Sequence, residues 1–309
     1  MKPFRKNIAI AIDGGGMRGV IPIRALMKLE SVMGIPLSQM AGLVAGTSTG
    51  SIICAGLAAG LGAGQMFQLY QELGKSVFRR SLRSLVWPLT RYRYPAKPLR
   101  IALQEALGNL RMGELWDNNG PNMDLVITAY DLTLNRTRFI KPWKPEYADW
   151  PLVDALLASS AVPTYFPVVD GRYVDGGVGS YSNPCYVAAY EARFCLGWKP
   201  EETTLISLGT GRARNGMLPG KANSFRAWDW ISPTLGAFMT SAADQQVHLV
   251  ETFFEGLDFR RFQVELDEEI AMDDPAQLPR LAHYGDRMAT RVLRDQFDSA
   301  MGVLPQQVR

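Results

Sequence analysis

The sequence predicts an α/β fold in which helices cover both faces of a mostly parallel central sheet. The run IAIAI at 8–12 is short, apolar and bounded by Asp13 and three glycines, as expected of a strand buried on both faces. A helical pattern of apolar residues follows these glycines, and the same order of strand, tight turn and helix recurs at 43–61. Strands that alternate with helices in this way are typical of a parallel sheet.

The rest of the chain continues this alternation up to about residue 211. Further strands are predicted at 123–130, 137–141, 172–174 and 204–208, and helices near 98–108, 151–159 and 184–196. Residues 212–224 are polar and contain glycine, and the remainder predicts mainly helices with one strand near 259–266. Since no repeat or linker interrupts the pattern, we expect one domain over 1–309, with a motif-bearing core at about 7–211 and a helical part at about 225–309.

Composition excludes several classes of protein. With 309 residues, 47% of them hydrophobic and 20% charged, the chain is neither disordered nor fibrous. The net charge of +3 is too small to indicate nucleic-acid binding. The cysteines, Cys54, Cys185 and Cys195, lack the spacing of a disulfide framework or a zinc site. The first apolar run is shorter than a signal-peptide core, so we expect a cytoplasmic protein with reduced thiols.

The strongest catalytic signal is GTSTG at 46–50, between an apolar strand and a helix of small residues. Gly46 and Gly50 stand where a side chain would clash in a sharp turn from strand to helix. Such a turn exposes Ser48 above the sheet edge and over the amino end of the next helix, where negative charge is favoured. The pattern predicts a nucleophile, although a Gly/Ser-rich loop also produces GxSxG by chance.

A second motif, DGGGMRG at 13–19, follows the first strand. Consecutive glycines let several main-chain N–H groups point at one spot, as a developing oxyanion requires. Gly14, Gly16 and Gly19 also form the GxGxxG of a dinucleotide-binding turn. That alternative needs an acidic residue at the end of the second strand to hold the ribose, but 31–71 contains no Asp or Glu. The sequence therefore favours an oxyanion hole.

The proton acceptor for Ser48 is either a histidine or an aspartate. His248 and His283 lie in predicted helices, and the order Ser, Asp, His permits a triad, but fewer strands precede Ser48 than in α/β-hydrolases. Asp175 lies in RYVDGG, where a short strand ends in a turn that could hold a carboxylate. Because an ordinary Asp is a weaker base than His, a Ser48 and Asp175 pair requires a buried site that raises the pKa of Asp175.

Together, DGGGMRG, GTSTG and DGG, at 13–19, 46–50 and 175–177, resemble the patatin-like phospholipase family. Supporting stretches lie at 158–163, 166–167, 182–184 and 205–211, so the resemblance covers about 7–211. It implies a three-layer α/β/α sandwich of the patatin-like, hydrolase-like fold. It also implies that the protein cleaves carboxylic esters of lipids through a Ser–Asp dyad and an acyl-enzyme intermediate, without a cofactor or a metal. Many members have Asn where this sequence has Ser182, a departure that bears on loop support.

Carried onto this sequence, the resemblance makes Ser48 the nucleophile and Asp175 its proton acceptor. It assigns substrate or phosphate binding to Arg18, and the oxyanion hole to main-chain N–H groups of Gly14, Gly15, Gly16 and Met17. The motif glycines that support the turns are Gly19, Gly46, Gly50, Gly176 and Gly177. We therefore expect a lipid acyl hydrolase of the phospholipase A or lysophospholipase type. The alternatives are a dinucleotide-binding enzyme and a catalytically idle lipid-binding or regulatory module.

A basic and aromatic stretch lies at 73–104, which contains no acidic residue. Cations are stabilised near anionic lipids, and Trp and Tyr favour the bilayer interface. The stretch therefore predicts peripheral contact with an anionic membrane at its inner surface. The residues that we expect to make this contact are Arg79, Arg80, Arg83, Trp87, Arg91 and Arg93. A solvated loop is the alternative, and nucleic acid is not an expected partner. An acidic cluster at 265–274 could face this stretch or remain solvated.

Overall fold

The computed structural model describes residues 1–79, 90–117, 123–213 and 217–298. Strand β1 (Asn7–Ile12) forms the centre of the fold. A strand presents successive side chains to opposite faces of its sheet. The three isoleucines of β1 accordingly belong to one buried cluster and its two alanines to another. Because both faces are buried, β1 lies between two layers of helices.

The main sheet extends from β1 in both directions. Strands β2 (Leu43–Thr47) and β6 (Thr203–Leu208) flank β1 and run parallel to it. Beyond β2 lie β3 (Asp124–Asp131), which is parallel, and the antiparallel edge strand β4 (Arg136–Ile140), and beyond β6 lies the parallel strand β8 (Asp258–Phe262). A short strand, β5 (Tyr173–Asp175), pairs with the end of β3. Strands β7 (Arg212–Ala213) and β9 (Glu265–Leu266) form a separate parallel pair.

Helices cover both faces of this sheet. In the described residues they are α1 (Val20–Met33), α2 (Thr49–Ala58), α3 (Ala63–Ser76), α4 (Ala96–Leu107), α5 (Leu152–Ser159), α6 (Cys185–Tyr190), α7 (Ile231–Phe253) and α8 (Leu278–Leu293). Helix α6 continues as a π-helical turn over Glu191–Cys195, and single turns lie at Glu114–Asp117 and Pro145–Ala148.

The two layers bury apolar faces of different sizes. Helices α1 to α5 and α8 pack on the isoleucine face of β1, whereas α6 and the second half of α7 pack on its alanine face. Alanines on both α6 and β1 allow the helix to lie close to the strand. The protein is therefore a three-layer α/β/α sandwich with a mostly parallel sheet, as the sequence predicts. The carboxyl ends of the parallel strands meet at one edge of the sheet, which we call the carboxyl edge.

Most of the predicted strands and helices lie within a few residues of the observed ones. Helix α3, which follows α2 after a short turn, is not among the helices that the sequence predicts. The single strand predicted near 259–266 is divided into β8, which joins the main sheet, and β9, which pairs with β7. Strand β8 carries one of the residues on which the candidate site depends.

Candidate active site

Ser48 lies between β2 and α2 in an unusual backbone conformation. Its φ of 55° and ψ of −123° fall in a region that residues other than glycine rarely adopt. The turn requires its two motif glycines: a Cβ at Gly50 would lie 2.1 Å from the carbonyl oxygen of Ile12, and one at Gly46 would lie 2.4 Å from the carbonyl carbon of Gly50. The close contact of β1, β2 and α2 therefore sets the position of Ser48.

Two other serines hold the main chain of Ser48. Its N–H donates to Oγ of Ser159 at the end of α5 (2.9 Å), and its carbonyl oxygen accepts a hydrogen bond from the hydroxyl of Ser51 (2.6 Å). Ser48 is also the residue that caps the amino end of α2, so the positive end of the helix dipole lies next to it. No sequence pattern singles out Ser159, although the residue lies in one of the supporting stretches.

The register of the sheet brings Asp175 beside Ser48. Thr47, the last residue of β2, pairs with Thr128 of β3, and Asp175 pairs with Ala129, the next residue of β3. Because β4 occupies the opposite edge of this part of β3, β5 continues along the edge that β2 leaves after Thr47. The end of β5 and the turn after β2 therefore meet at the carboxyl edge.

The carboxyl group of Asp175 is almost completely buried, with 2% of the residue exposed. Its Oδ1 accepts a hydrogen bond from the N–H of Gly177 (2.7 Å), while its buried Oδ2 has no hydrogen-bond partner in the described part of the chain. Burial raises the pKa of Asp175 to about 6, and the nearby Ser48 hydroxyl and the Gly177 N–H act in the opposite direction. A buried carboxylate with raised proton affinity and one unused oxygen is suited to accept a proton.

The turn at 13–19 contacts Ser48 and is tightly packed. A Cβ at Gly14 would lie 3.3 Å from the Cβ of Ser48. A Cβ at Gly15 would lie 2.4 Å from Oγ1 of Thr210, and one at Gly16, whose φ is +58°, would lie 2.4 Å from the carbonyl oxygen of Met272. Any side chain at Gly15 or Gly16 would therefore displace the main chain that faces Ser48.

The hydrogen bonds of this turn correct the expected oxyanion hole. The N–H of Gly14 donates to the carbonyl oxygen of Ser182 (2.9 Å), and the N–H of Met17 donates to that of Met272 (2.8 Å). Since these two donors are already bonded within the fold, they are not free to bind a substrate oxygen. The N–H groups of Gly15 and Gly16 make no such bond to any described residue, which leaves them as the candidate donors.

A buried ion pair ties the glycine turn to the sheet. Arg261 of β8 donates to both carboxylate oxygens of Asp13, Nη1 to Oδ1 at 2.8 Å and Nη2 to Oδ2 at 2.6 Å. It also donates to Oγ of Ser207 on β6 (2.8 Å), so one guanidinium joins three strands. Arg261 lies beyond residue 211, where no motif predicts a functional residue. Its one signal is a pair of adjacent arginines, Arg260 and Arg261, inside a predicted strand.

A narrow apolar pocket opens beside Ser48. Ser48, Gly16 and Met17 contribute to its wall, and the other lining residues are mostly apolar or aromatic. They are Thr49, Ile52, Tyr70, Leu73, Phe78, Leu99, Ser160, Val162, Tyr165, Phe166 and Met272. A wall of this composition suits a hydrocarbon chain, because contact with it removes apolar surface from water.

Arg18 is partly buried close to this pocket. Burial lowers the pKa of its guanidinium, and Glu269, Tyr165 and Asp13 act in the opposite direction. Its buried Nε has no hydrogen-bond partner among the residues that the structure describes. A guanidinium with an unused donor next to an apolar pocket is suited to bind an anionic group.

The basic stretch contributes to the wall of the site, which departs from the expectation that Arg93 contacts a membrane. Arg93 forms an ion pair with Asp273 (2.6 Å) and lies over the ring of Tyr165, 4.7 Å from its centre. The hydroxyl of Tyr94 donates to the same carboxylate (2.8 Å). The acidic cluster therefore does contact the basic stretch at Asp273.

The other residues expected at a membrane are in part described. Arg79 and Arg91 are exposed, whereas Arg80, Arg83 and Trp87 lie outside the described residues. Within the described ranges, no helix has both the length and the apolar character needed to cross a bilayer.

The geometry favours Asp175 over a histidine as the partner of Ser48. His248 on α7 lies with Nδ1 3.4 Å from the hydroxyl of Thr252, and the ring of His283 on α8 packs near Tyr284. Neither histidine lines the pocket beside Ser48. Among the described residues, no three His, Cys, Asp or Glu side chains form a group that could hold a metal ion.

Comparison with known proteins places these features in a family. The family model described as Patatin-like phospholipase matches residues 10–189, more than half of the chain. An "Intracellular phospholipase A2" of Caenorhabditis elegans is 33% identical over 221 residues, which cover 66% of this chain and 19% of that protein. A "cGAMP-activated phospholipase" of Pseudomonas aeruginosa is 31% identical over 178 residues, 55% of this chain and 52% of that one. The chain thus spans about a fifth of the first relative and about half of the second.

Two further comparisons extend over most of the chain. A "cGAMP-activated phospholipase" of Vibrio cholerae is 24% identical over 326 residues, which cover 91% of this chain and 90% of that protein. Among solved structures, VipD of Legionella pneumophila has a TM-score of 0.48 and 14% identity and covers 94% of this chain and 67% of its own.

The ion pair between Arg261 and Asp13 gives the first prediction. Arg261→Met leaves a buried carboxylate without its partner, so we expect it to lower the free energy of unfolding by about 3–5 kcal/mol. Arg261→Lys keeps the charge but loses the two-pronged hydrogen bond, and we expect a smaller loss. Urea denaturation followed by circular dichroism measures both. Arg136→Met, at an exposed arginine of β4, is the control, and a loss below about 1 kcal/mol for Arg261→Met would contradict the prediction.

Proposed function

The chain belongs to the patatin-like phospholipase family, and from this premise we propose that it hydrolyses lipid esters through a Ser48–Asp175 dyad, as a phospholipase A or lysophospholipase. Membership of the family supports the hydrolysis of lipid acyl esters. The observation that carries the finer proposal is the register of β3, which sets the buried carboxyl group of Asp175 beside Ser48. The apolar pocket next to Ser48 supports an acyl chain as the group that is bound.

The reaction begins when Asp175 accepts the proton of the Ser48 hydroxyl. The serine oxygen attacks the ester carbonyl, and the N–H groups of Gly15 and Gly16 donate to the oxyanion that forms. When this intermediate collapses, Asp175 returns the proton to the departing alcohol, and the acyl group remains on Ser48. Asp175 then accepts a proton from water, which attacks the acyl-enzyme, and the fatty acid leaves as the serine regains its proton.

The contacts of the glycine turn support its part in this reaction. Oxyanion donors are most effective when they need no rearrangement as charge develops, and each is worth about 3–4 kcal/mol of barrier. The bonds of Gly14 and Met17 to Ser182 and Met272 hold the two intervening N–H groups in place. The N–H groups of Gly14 and Met17 therefore hold the turn in place, and those of Gly15 and Gly16 remain for the substrate oxygen.

The dyad is tested by single substitutions. We expect Ser48→Ala and Asp175→Asn each to lower kcat on a short-chain p-nitrophenyl ester at least about a thousandfold, since each removes a reacting group. The double variant His248→Ala with His283→Ala should keep its activity within about threefold, because neither ring lines the pocket. Labelling of the wild type, but not of Ser48→Ala, by a fluorophosphonate probe would exclude an idle lipid-binding module. Near-normal turnover by Asp175→Asn would rule out the dyad.

The pH dependence of activity follows from the ionisation of Asp175. Burial raises its pKa to about 6, and only the ionised carboxylate accepts a proton. We therefore expect kcat/KM to fall about tenfold per pH unit below a pH of about 6 and to be level above it. The stability changes in the opposite sense: the folded protein disfavours the ionised form, so Asp175 lowers stability as the pH rises from 3.8 through 6.

Two measurements check this behaviour. Rates on a soluble ester between pH 4.5 and 8.5 give the activity profile, and a profile without an acid limb would contradict the assignment of Asp175. Urea denaturation compares Asp175→Asn with the wild type. The variant should be more stable by up to about 3 kcal/mol at pH 8, and the difference should disappear below about pH 4.

Arg18 is proposed to bind the phosphate of a phospholipid. Its unused buried Nε and its position near Tyr165 in the pocket wall support this role. We expect Arg18→Met to lower kcat/KM at least about tenfold more on a phospholipid than on an uncharged ester with the same acyl chain, because only the former loses an ionic partner. Equal losses on both substrates would mean that Arg18 only supports the turn. Arg136→Met, at the exposed arginine of β4, serves as the control.

A further inference from the structure

Large apolar side chains are exposed in the segment that leads into and opens α7. This cap segment (217–238) includes Met217, Leu218, Trp230 and Phe238, which are 43%, 76%, 47% and 46% exposed. Phe225 packs against the ring of Trp230, with ring centres 5.3 Å apart. A single exposed apolar residue is ordinary, but a group of this size marks a surface that contacts something other than water.

The cap segment is joined to the candidate active site through the next residue of α7. The carbonyl oxygen of Met239 accepts a hydrogen bond from Oγ of Ser182 (2.7 Å). The Cε of Met239 would lie 3.1 Å from a Cβ at Gly177, the residue whose N–H holds Asp175. The exposed side chain of Phe238 therefore belongs to an element that touches the Asp175 turn.

A second exposed apolar element also lies next to that turn. The hairpin between β3 and β4 carries Leu132 and Leu134, which are 50% and 45% exposed. It contacts the same turn, because the hydroxyl of Thr137 donates to the carbonyl oxygen of Gly179 (3.2 Å). Since β3 ends at the carboxyl edge, the hairpin and the cap segment both contact the turn at this edge.

We propose that the cap segment and the β3–β4 hairpin insert into the surface of the lipid bilayer that holds the substrate. This inference rests on the proposed function, since a substrate that resides in a bilayer has to reach a site at the carboxyl edge. Trp and Phe favour the bilayer interface, and leucines add apolar surface that lipid removes from water. Lys221 and Arg226 outnumber the single acidic residue of the cap segment, Asp229, which suits phosphate-bearing head groups.

Apolar insertion differs from the charge-based membrane contact that the sequence predicts for the basic stretch. Contact through apolar insertion does not depend on the charge of the lipid and is little weakened by salt, whereas contact through exposed arginines is screened by salt. We therefore expect the protein to bind vesicles of neutral phosphatidylcholine and to remain bound in 1 M NaCl.

The test compares two pairs of substitutions by vesicle sedimentation. Leu218→Ser with Phe238→Ser should lower binding to phosphatidylcholine vesicles at least tenfold and lower fatty-acid release from them equally. Hydrolysis of a soluble short-chain ester should stay within twofold. The matched control is Phe194→Ser with Phe253→Ser, at residues that are 60% and 64% exposed. Phe253 ends α7 just before β8 begins, so this control pair lies away from the carboxyl edge, and it should bind as the wild type does.

A fluorescent label gives a second readout that needs no loss of function. Cys54 and Cys185 are buried and Cys195 is exposed, so Cys195→Ser provides a background for labelling Leu218→Cys with an NBD dye. Its emission should shift to the blue when vesicles are added, and the emission of the same dye at Phe194→Cys should not. No shift at position 218, or unchanged sedimentation of the cap variant, would overturn the proposal.

Two other outcomes distinguish membrane insertion from self-association and from the proposed function. A blue shift at position 218 that depends on protein concentration and not on vesicles would assign the surface to a second copy of the chain and overturn insertion. Vesicle binding through the cap segment by a wild type that releases no fatty acid would refute the proposed function and leave the insertion surface standing.

Discussion

The candidate site depends on the bond that Arg261 makes with Asp13. A guanidinium that is 6% exposed joins the end of β1 to β6 and β8, and the glycine turn starts at the residue that it holds. A buried guanidinium needs a carboxylate in hydrogen-bonding position, because burial removes the water that would otherwise solvate the charge. The two-pronged bond meets this need, and it thereby determines where the main chain leaves the sheet.

Asp175 is a second buried aspartate, but its bonding differs from that of Asp13. No cation compensates this carboxylate in the described part of the chain; it has one main-chain donor, and its second oxygen is unpaired. The pKa of about 6 is the consequence. Both oxygens of Asp13 are occupied by Arg261, whereas Asp175 keeps one oxygen without a partner. The two aspartates of the motifs thus differ in bonding: Asp13 anchors the glycine turn, and Asp175 has the free oxygen that its proposed role requires.

Local constraints explain what could be predicted from the sequence. Ser48 and Asp175 could be singled out as candidates because tight turns leave glycines at fixed offsets, and the strand pattern predicts the layered fold. Contacts between distant segments leave no such pattern. The carbonyl oxygens of Ser182 and Met272 occupy two donors of the glycine turn, and Asp273 binds Arg93. Neither pairing is visible in any short window of sequence, and Arg261 is a single residue without a motif.

Strand β8 and the residues after it support the glycine turn, which limits how the candidate site could be grafted onto another protein. The family match ends at residue 189, yet Arg261 secures the glycine turn and Met272 both bonds to it and lines the pocket. The recognisable motifs are therefore not a portable module. A chimera that grafts only the first two strands, the turn at Ser48 and the turn at Asp175 onto another scaffold inherits these two residues without the framework that orients them.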